Sequence, residues 1–307
     1  MSKTNHIDYI KAHLNMAWLR PESALWDVIA STIISKYENN HPSLDLGCGN
    51  GIFSFITAGG EFSVDYDWYI NVNTEGFWKN KDIYDACKIS TLAGFITKKP
   101  GYTFTVGLDH KPNLLKQAKS LNFYRNLLEC DANQQLPFED GKFKTIFSNI
   151  LYWLNSQERS LNELYRILDK EGIAILCIPN IKFYDYCFSY HWKEKNSELL
   201  RLLNRGRSEC MHWTISYGDF ASLAKRAGFD IVDHSYYLSP LLLKMWDIGL
   251  RPLSPLLIKM SNSLTQENRK SIKMEWIETL KEFLLPLYDM EIKCKDEGGF
   301  HLFVLRK

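Results

Sequence analysis

An α/β fold with a largely parallel sheet covered on both faces is what this sequence predicts, and three observations carry that expectation. The short apolar run Ser43-Leu44-Asp45-Leu46 feeds straight into the glycine-rich stretch Gly47-Cys48-Gly49-Asn50-Gly51. From residue 102 to residue 178, strand-like and helix-like segments alternate, the pattern of parallel strands joined by helical crossovers. A capped helix and two more strand-like runs, at 229–237 and 300–305, then bring the expected sheet to seven strands.

Length and composition bound the rest. The chain has 307 residues, 45% of them hydrophobic and 24% charged, which suits one sizeable core with attachments. Its 37 basic residues nearly balance 36 acidic ones, so no long-range field draws it to nucleic acid or to an acidic membrane, and a small or neutral partner is expected. Seven cysteines, at 48, 87, 130, 177, 187, 210 and 294, show no paired metal-ligand spacing. Several lie in apolar runs where a reduced thiol packs as a small hydrophobe, and no metal site is expected. The opening MSKTNHIDYIKAHLNMAW contains no uninterrupted apolar stretch suited to a signal peptide. Lys244, Asp247, Arg251 and Lys259 interrupt the stretch from Leu238 to Met260 before the roughly 20 apolar residues that spanning requires. These features point to a cytoplasmic chain.

The first element is a helix opened by Pro21-Glu22, in which Leu25, Val28, Ile29, Thr32 and Ile33 recur at helical spacing. The 43–46 strand follows the His41-Pro42 break. Residues 60–101, polar and aromatic by turns with Trp68, Phe77, Trp78 and Tyr84, read as an insertion. Strand 102–108, helix 112–121, strands 127–130 and 143–148 and helix 156–168 come next. Asn155 stands three residues before Glu158, the spacing of a capping box, and Leu161, Leu164 and Leu168 form a buried stripe. Asp169 to Gly172 turns the chain into the apolar strand 173–178. Ser216 with Asp219 caps a helix that Gly228 stops. Two long helices, about 241–262 and 265–287, precede the last strand. The expected organisation is an N-terminal helical region (1–40), a core (41–240) containing the 60–101 insertion and a lid-like 181–215 connection, and a C-terminal region (241–307).

The octet Leu44 to Gly51 needs its glycines because a ligand approaches backbone only where no Cβ intervenes, and the helix behind it offers free N–H groups. This octet resembles the first motif of class I S-adenosylmethionine-dependent methyltransferases, with Asp45 two residues before the first glycine of G-x-G-x-G. Nicotinamide enzymes favour G-x-G-x-x-G, and Ile52 occupies that third glycine position, so a nucleotide-binding oxidoreductase is the weaker alternative. Val106-Gly107-Leu108-Asp109 resembles the family's second strand and the acid that holds the ribose hydroxyls, with His110 beside it. Asp65 or Asp67 better fits the roughly 20-residue spacing of a compact unit, but only Asp109 is followed by a helix and then a strand. Cys130-Asp131-Ala132 resembles the third motif, in which the aspartate meets the adenine amino group. The segment Ser148 to Leu154 and the later Arg166 to Gly172 resemble the branch that includes ubiquinone-biosynthesis methyltransferases.

The resemblance implies a Rossmann-like seven-stranded methyltransferase sheet with an inserted cap and extra C-terminal helices. It implies S-adenosyl-L-methionine as cofactor, held by Asp45, Gly47, Cys48, Gly49, Asn50, Gly51, Asp109, His110, Asp131, Ala132 and Asn149. Many members of that branch carry histidine where this chain has Trp153, which keeps open a non-catalytic, methyltransferase-like binding or regulatory role. Open α/β sheets bind ligands at the carboxyl ends of their strands, so Tyr152, Trp153 and Asn180, with Tyr184 and Trp213 beyond, are candidate acceptor contacts. His191 and His212 are candidate bases, because histidine titrates near neutrality. Arg201, Arg205 and Arg207 are candidates for holding an anionic acceptor. The expected reaction is O-methylation of a small molecule or of a sugar unit in a glycan; a carbon or nitrogen acceptor stays open.

Overall fold

The computed structural model describes residues 3–72, 91–204, 207 and 211–307. Two helices, α1 (Lys3–Met16) and α2 (Pro21–Ile34), lead into β1 (Ser43–Leu46) and α3 (Ile52–Thr57). The short strands β2 (Glu61–Phe62) and β3 (Ile96–Lys98) pair with each other, antiparallel, apart from the main sheet. The core continues with β4 (Phe104–Asp109), α4 (Pro112–Ser120), β5 (Tyr124–Glu129), β6 (Phe143–Ser148), α5 (Gln157–Ile167) and β7 (Leu168–Pro179). Then come α6 (Phe183–Tyr186), α7 (Ser197–Leu203), α8 (Tyr217–Ala227), β8 (Asp230–Tyr237), α9 (Pro240–Ile248), α10 (Ser254–Asn262), α11 (Gln266–Glu291) and β9 (Phe300–Arg306).

Seven strands form one sheet in the order β5-β4-β1-β6-β7-β9-β8. The first five of these run parallel, whereas β9 lies antiparallel between β7 and β8. Side chains alternate across a strand, and this sorts the apolar residues onto two faces. Ile146, Ala174 and Leu176 pack with Leu161 and Leu164 of α5 and Phe220 of α8. Phe147, Ile175 and Cys177 face the other way, onto α1, α2 and the C-terminal helices. With both faces covered, every residue of β1 is buried. Each fully buried leucine contributes about 1.5–3 kcal/mol.

Local expectations shift in three places. Ser156, and not Asn155, caps α5: its hydroxyl accepts from Arg159 N–H, while Asn155 N–H donates to Asn133 Oδ1. The strand expected at 127–130 starts earlier, at Tyr124, as the exposed edge of the sheet. The expected 241–262 helix is broken into α9 and α10, because Pro252 and Pro255 have no N–H for a continuous helix. Ser216 and the left-handed Gly228 bound α8 as their sequence positions predict.

The chain leaves β1 for β4 on one side and returns to β6 on the other. That reversal opens a crevice above the carboxyl ends of β1 and β6, where the glycine loop lies.

Candidate functional site

Gly47 and Cys48 anchor the loop by donating their N–H groups to Leu108 O at 2.8 and 2.9 Å. The three glycines all have positive φ, but their surroundings differ. A Cβ on Gly47 would strike Ile150, and one on Gly51 would strike Tyr124, so those two glycines are demanded by packing. A Cβ on Gly49 would meet nothing nearer than Leu114 Cδ1 at 3.8 Å, which leaves the space over the middle of the loop open to a ligand. Asn50 Oδ1 accepts from Ile52 N–H and so closes the first turn of α3. Cys48 is buried, and burial together with the Asp45 and Asp109 carboxylates pushes its thiol well above the usual range.

Asp45 lies beneath the loop, 2% exposed, with its carboxylate accepting from Tyr124 Oη at 2.7 Å. Burial raises it to about 6, against the lowering effect of hydrogen bonds from Ser54 and Tyr124. It supports the loop from below. Asp109 ends β4, next to β1, and accepts from Gly49 N–H and Lys111 N–H, both at 2.9 Å. A carboxylate has about four lone-pair sites, so each oxygen retains capacity for a hydroxyl donor. His110 is largely exposed, its Nδ1 3.7 Å from Asp109. Asp131 is exposed and held below its ordinary value, first by the Asn133 N–H. Half-buried Ala132 follows it, and half-buried Asn149 follows β6.

The rival acids have other partners. Asp67 Oδ2 accepts from Trp18 Nε1 at 3.0 Å and Arg269 Nε at 2.9 Å, while Oδ1 accepts from Tyr69 N–H. Asp65 pairs with Lys270 on the surface. Residues 73–90 of the expected insertion, with Phe77, Trp78 and Tyr84, lie outside the described residues.

Beside Asn50 lies a cavity of about 330 Å³. Its walls come from five parts of the chain: His13 and Met16 of α1, Trp26 and Asp27 of α2, Ile52 and Phe53 of α3, Trp68 and Tyr69 after β2, and Trp246 of α9. Trp26 is packed in place by Trp246, 4.9 Å between ring centroids, and by Phe300 at 5.1 Å. Burial raises Asp27 to about 7, although the Arg20 charge draws it partly back. His13, also in the wall, is driven to about 3 by burial and bonded to Ser31 Oγ, so it is neutral at physiological pH.

The acceptor residues expected from sequence are not gathered around that cavity. His191 is exposed on a short 3-10 helix, and His212 is exposed beside Ser156, Glu158 and Arg226. Asn180 spends its amide on Gly298 O and Lys182 N–H, and thereby ties β7 to the turn before β9. Tyr184 stacks on Tyr190, and Trp213 Nε1 donates to Leu154 O. Tyr152 packs edge-on against Phe300, and Trp153 Nε1 is buried without a hydrogen-bond partner among the described residues. Arg207 is buried against Asp247 at 2.7 Å, Arg201 is exposed, and Arg205 lies outside the described residues. Asp27, a lone acid inside the apolar run of α2, was not singled out from the sequence.

Residues 89–176 match the family model for a methyltransferase domain. The match begins after the glycine loop and runs through β4 to β7. A search of curated proteins finds no match. Among solved structures, the chain is similar to an S-adenosylmethionine-dependent methyltransferase of Thermotoga maritima, at 14% identity and a TM-score of 0.48, over 92% of this chain and 89% of that one. It is also similar to phosphoethanolamine N-methyltransferase 2 of Haemonchus contortus in complex with S-adenosyl-L-methionine, at 14% identity and a TM-score of 0.46, over 93% and 57% of the two chains.

Proposed function

We propose that this chain is a class I S-adenosylmethionine-dependent methyltransferase that methylates a hydroxyl of a small molecule held in the aromatic cavity beside the glycine loop; the match of residues 89–176 to a methyltransferase domain supports that reading. The observation that carries this reading is that Asn50 and Ile52 belong both to the loop region and to the cavity wall. A volume of about 330 Å³ is that of a small-molecule pocket. Walls from five parts of the chain favour a free small molecule over a sugar unit within a glycan. The open space at Gly49 and the spare lone pairs of Asp109 fit the adenosyl part of the cofactor. Bound there, S-adenosylmethionine supplies a methyl group already activated on a sulfonium. The protein's share is to hold the acceptor in line, exclude water and accept a proton. No helix among the described residues is long and apolar enough to cross a membrane, and the free thiols support residence in the reducing cytoplasm.

The experiment is a thermal melt with S-adenosylmethionine and, separately, NADH. S-adenosylmethionine should raise the melting temperature by mass action, NADH should not, and Gly49→Val should abolish the shift while still folding. A shift with NADH alone would sink this reading.

A further inference from the structure

Asp27 is half-buried on α2 and lines the cavity with Trp26, Trp68, Tyr69 and Trp246. Other acids inside the protein are held by donors: Asp45 by Tyr124, Asp67 by Trp18 and Arg269, Asp247 by Ser189 N–H and Arg207. Asp27 accepts no hydrogen bond from any described residue. Half-buried and without donors, the carboxylate is open to whatever fills the cavity, and a titratable group in such a place is a candidate functional group.

We infer that Asp27 is the general base of the reaction, taking the hydroxyl proton of an uncharged phenol-type acceptor packed among the aromatic walls of the cavity. This rests on the cavity being the acceptor site, as proposed above. A planar ring matches walls built from Trp26, Trp68 and Tyr69. A cationic amine does not, because Arg20 is in the wall and the guanidinium groups of Arg207 and Arg251 already lie 5.3 and 4.9 Å from the Trp246 ring. Among the described residues, the charged and titratable groups that share the cavity with Asp27 or act on it are Arg20, Tyr69, the neutral His13 of α1 and Tyr237 of β8, whose phenol stays protonated. Burial sets Asp27 at about 7, so it is substantially ionised at neutral pH. A phenol, near 10 like tyrosine, is within reach of such a base, whereas an aliphatic hydroxyl is far less acidic. In the transfer the phenolic O–H bond breaks, its proton passes to an Asp27 oxygen, and an oxygen lone pair forms the new O–CH3 bond. The S–CH3 pair stays on sulfur as a thioether, and Asp27 releases the proton to water.

The test uses the full chain with phenol and 4-methylphenol as probes, benzylamine as the cationic comparison, and methyl-labelled S-adenosylmethionine. Without cofactor, the phenols should quench tryptophan fluorescence saturably. With cofactor they should become labelled, at a rate that rises with pH and flattens above about 7. Asp27→Asn should keep phenol quenching and calorimetric cofactor affinity within about threefold, yet lower kcat by roughly 10²–10⁴-fold and lose the pH rise. Asp27→Glu should restore the rise. An Asn variant with unchanged kcat and pH profile would overturn the base, as would labelling of benzylamine in place of the phenols. Cofactor binding with no phenol response would also overturn it. Absence of calorimetric cofactor binding by the wild type would instead bring down the methyltransferase reading, and the base with it.

Discussion

Asp109 and Asp67 are equally buried, 8% exposed each, and both were candidates for the ribose-binding acid, yet their surroundings make them different instruments. Among the described residues, Asp109 accepts from backbone N–H groups of the loop and of the chain just after it. Asp67 is saturated by side chains from distant parts of the chain, Trp18 and Arg269. Lys273 stands nearby, donating to Val64 O and Tyr66 O, and burial lowers it to about 8. Equal burial thus goes with two different kinds of partner.

Substitutions sharpen the contrast, beginning with the largest expected effect. Asp67→Ala leaves the Arg269 guanidinium buried and unpaired, which should cost about 3–5 kcal/mol in a urea titration, while the folded fraction binds S-adenosylmethionine with unchanged affinity. Asp109→Ala should do the reverse, weakening calorimetric binding at least about tenfold, roughly 1.4 kcal/mol, with a smaller loss of stability. If Asp67→Ala weakened binding more than Asp109→Ala, the second strand of the cofactor site would have to be sought in residues 60–101. The smallest effect belongs to Asp65→Ala. Its pair with Lys270 is about half exposed on both sides, so the change should cost no more than about 1 kcal/mol in the same titration and leave cofactor affinity alone.

These acids also show what sequence can reveal. Asp109 was legible because its neighbours are local: a strand precedes it, a proline-opened helix follows, and the glycine loop it binds is a short motif. The alternation that sorts Ile146 from Phe147 was equally legible, since one strand's pattern determines which face each side chain takes. Asp67 offered no such signal, because its side-chain partners, Trp18 and Arg269, lie far away along the chain. The cavity was hidden for the same reason. Trp26 and Trp246 meet only after α2 and α9 pack together, and no local periodicity announces that contact. The aromatic 181–215 connection stood out by its composition; within it Tyr184 stacks on Tyr190, and Arg207 pairs with Asp247 of α9.

The position of β9 bears on how the protein is made. Phe300–Arg306 is paired on both sides, and within the sheet it is the neighbour through which β8 joins β7. On a ribosome, β7 and β8 therefore emerge before the strand that joins them, with the residues of α9, α10 and α11 still to be synthesised. At about 5–20 residues per second, that interval lasts on the order of seconds. Throughout it the nascent chain presents unpaired strand edges, the surfaces through which unfinished chains associate with one another. Closure of the sheet thus waits for the synthesis of β9, long after the glycine loop has been made.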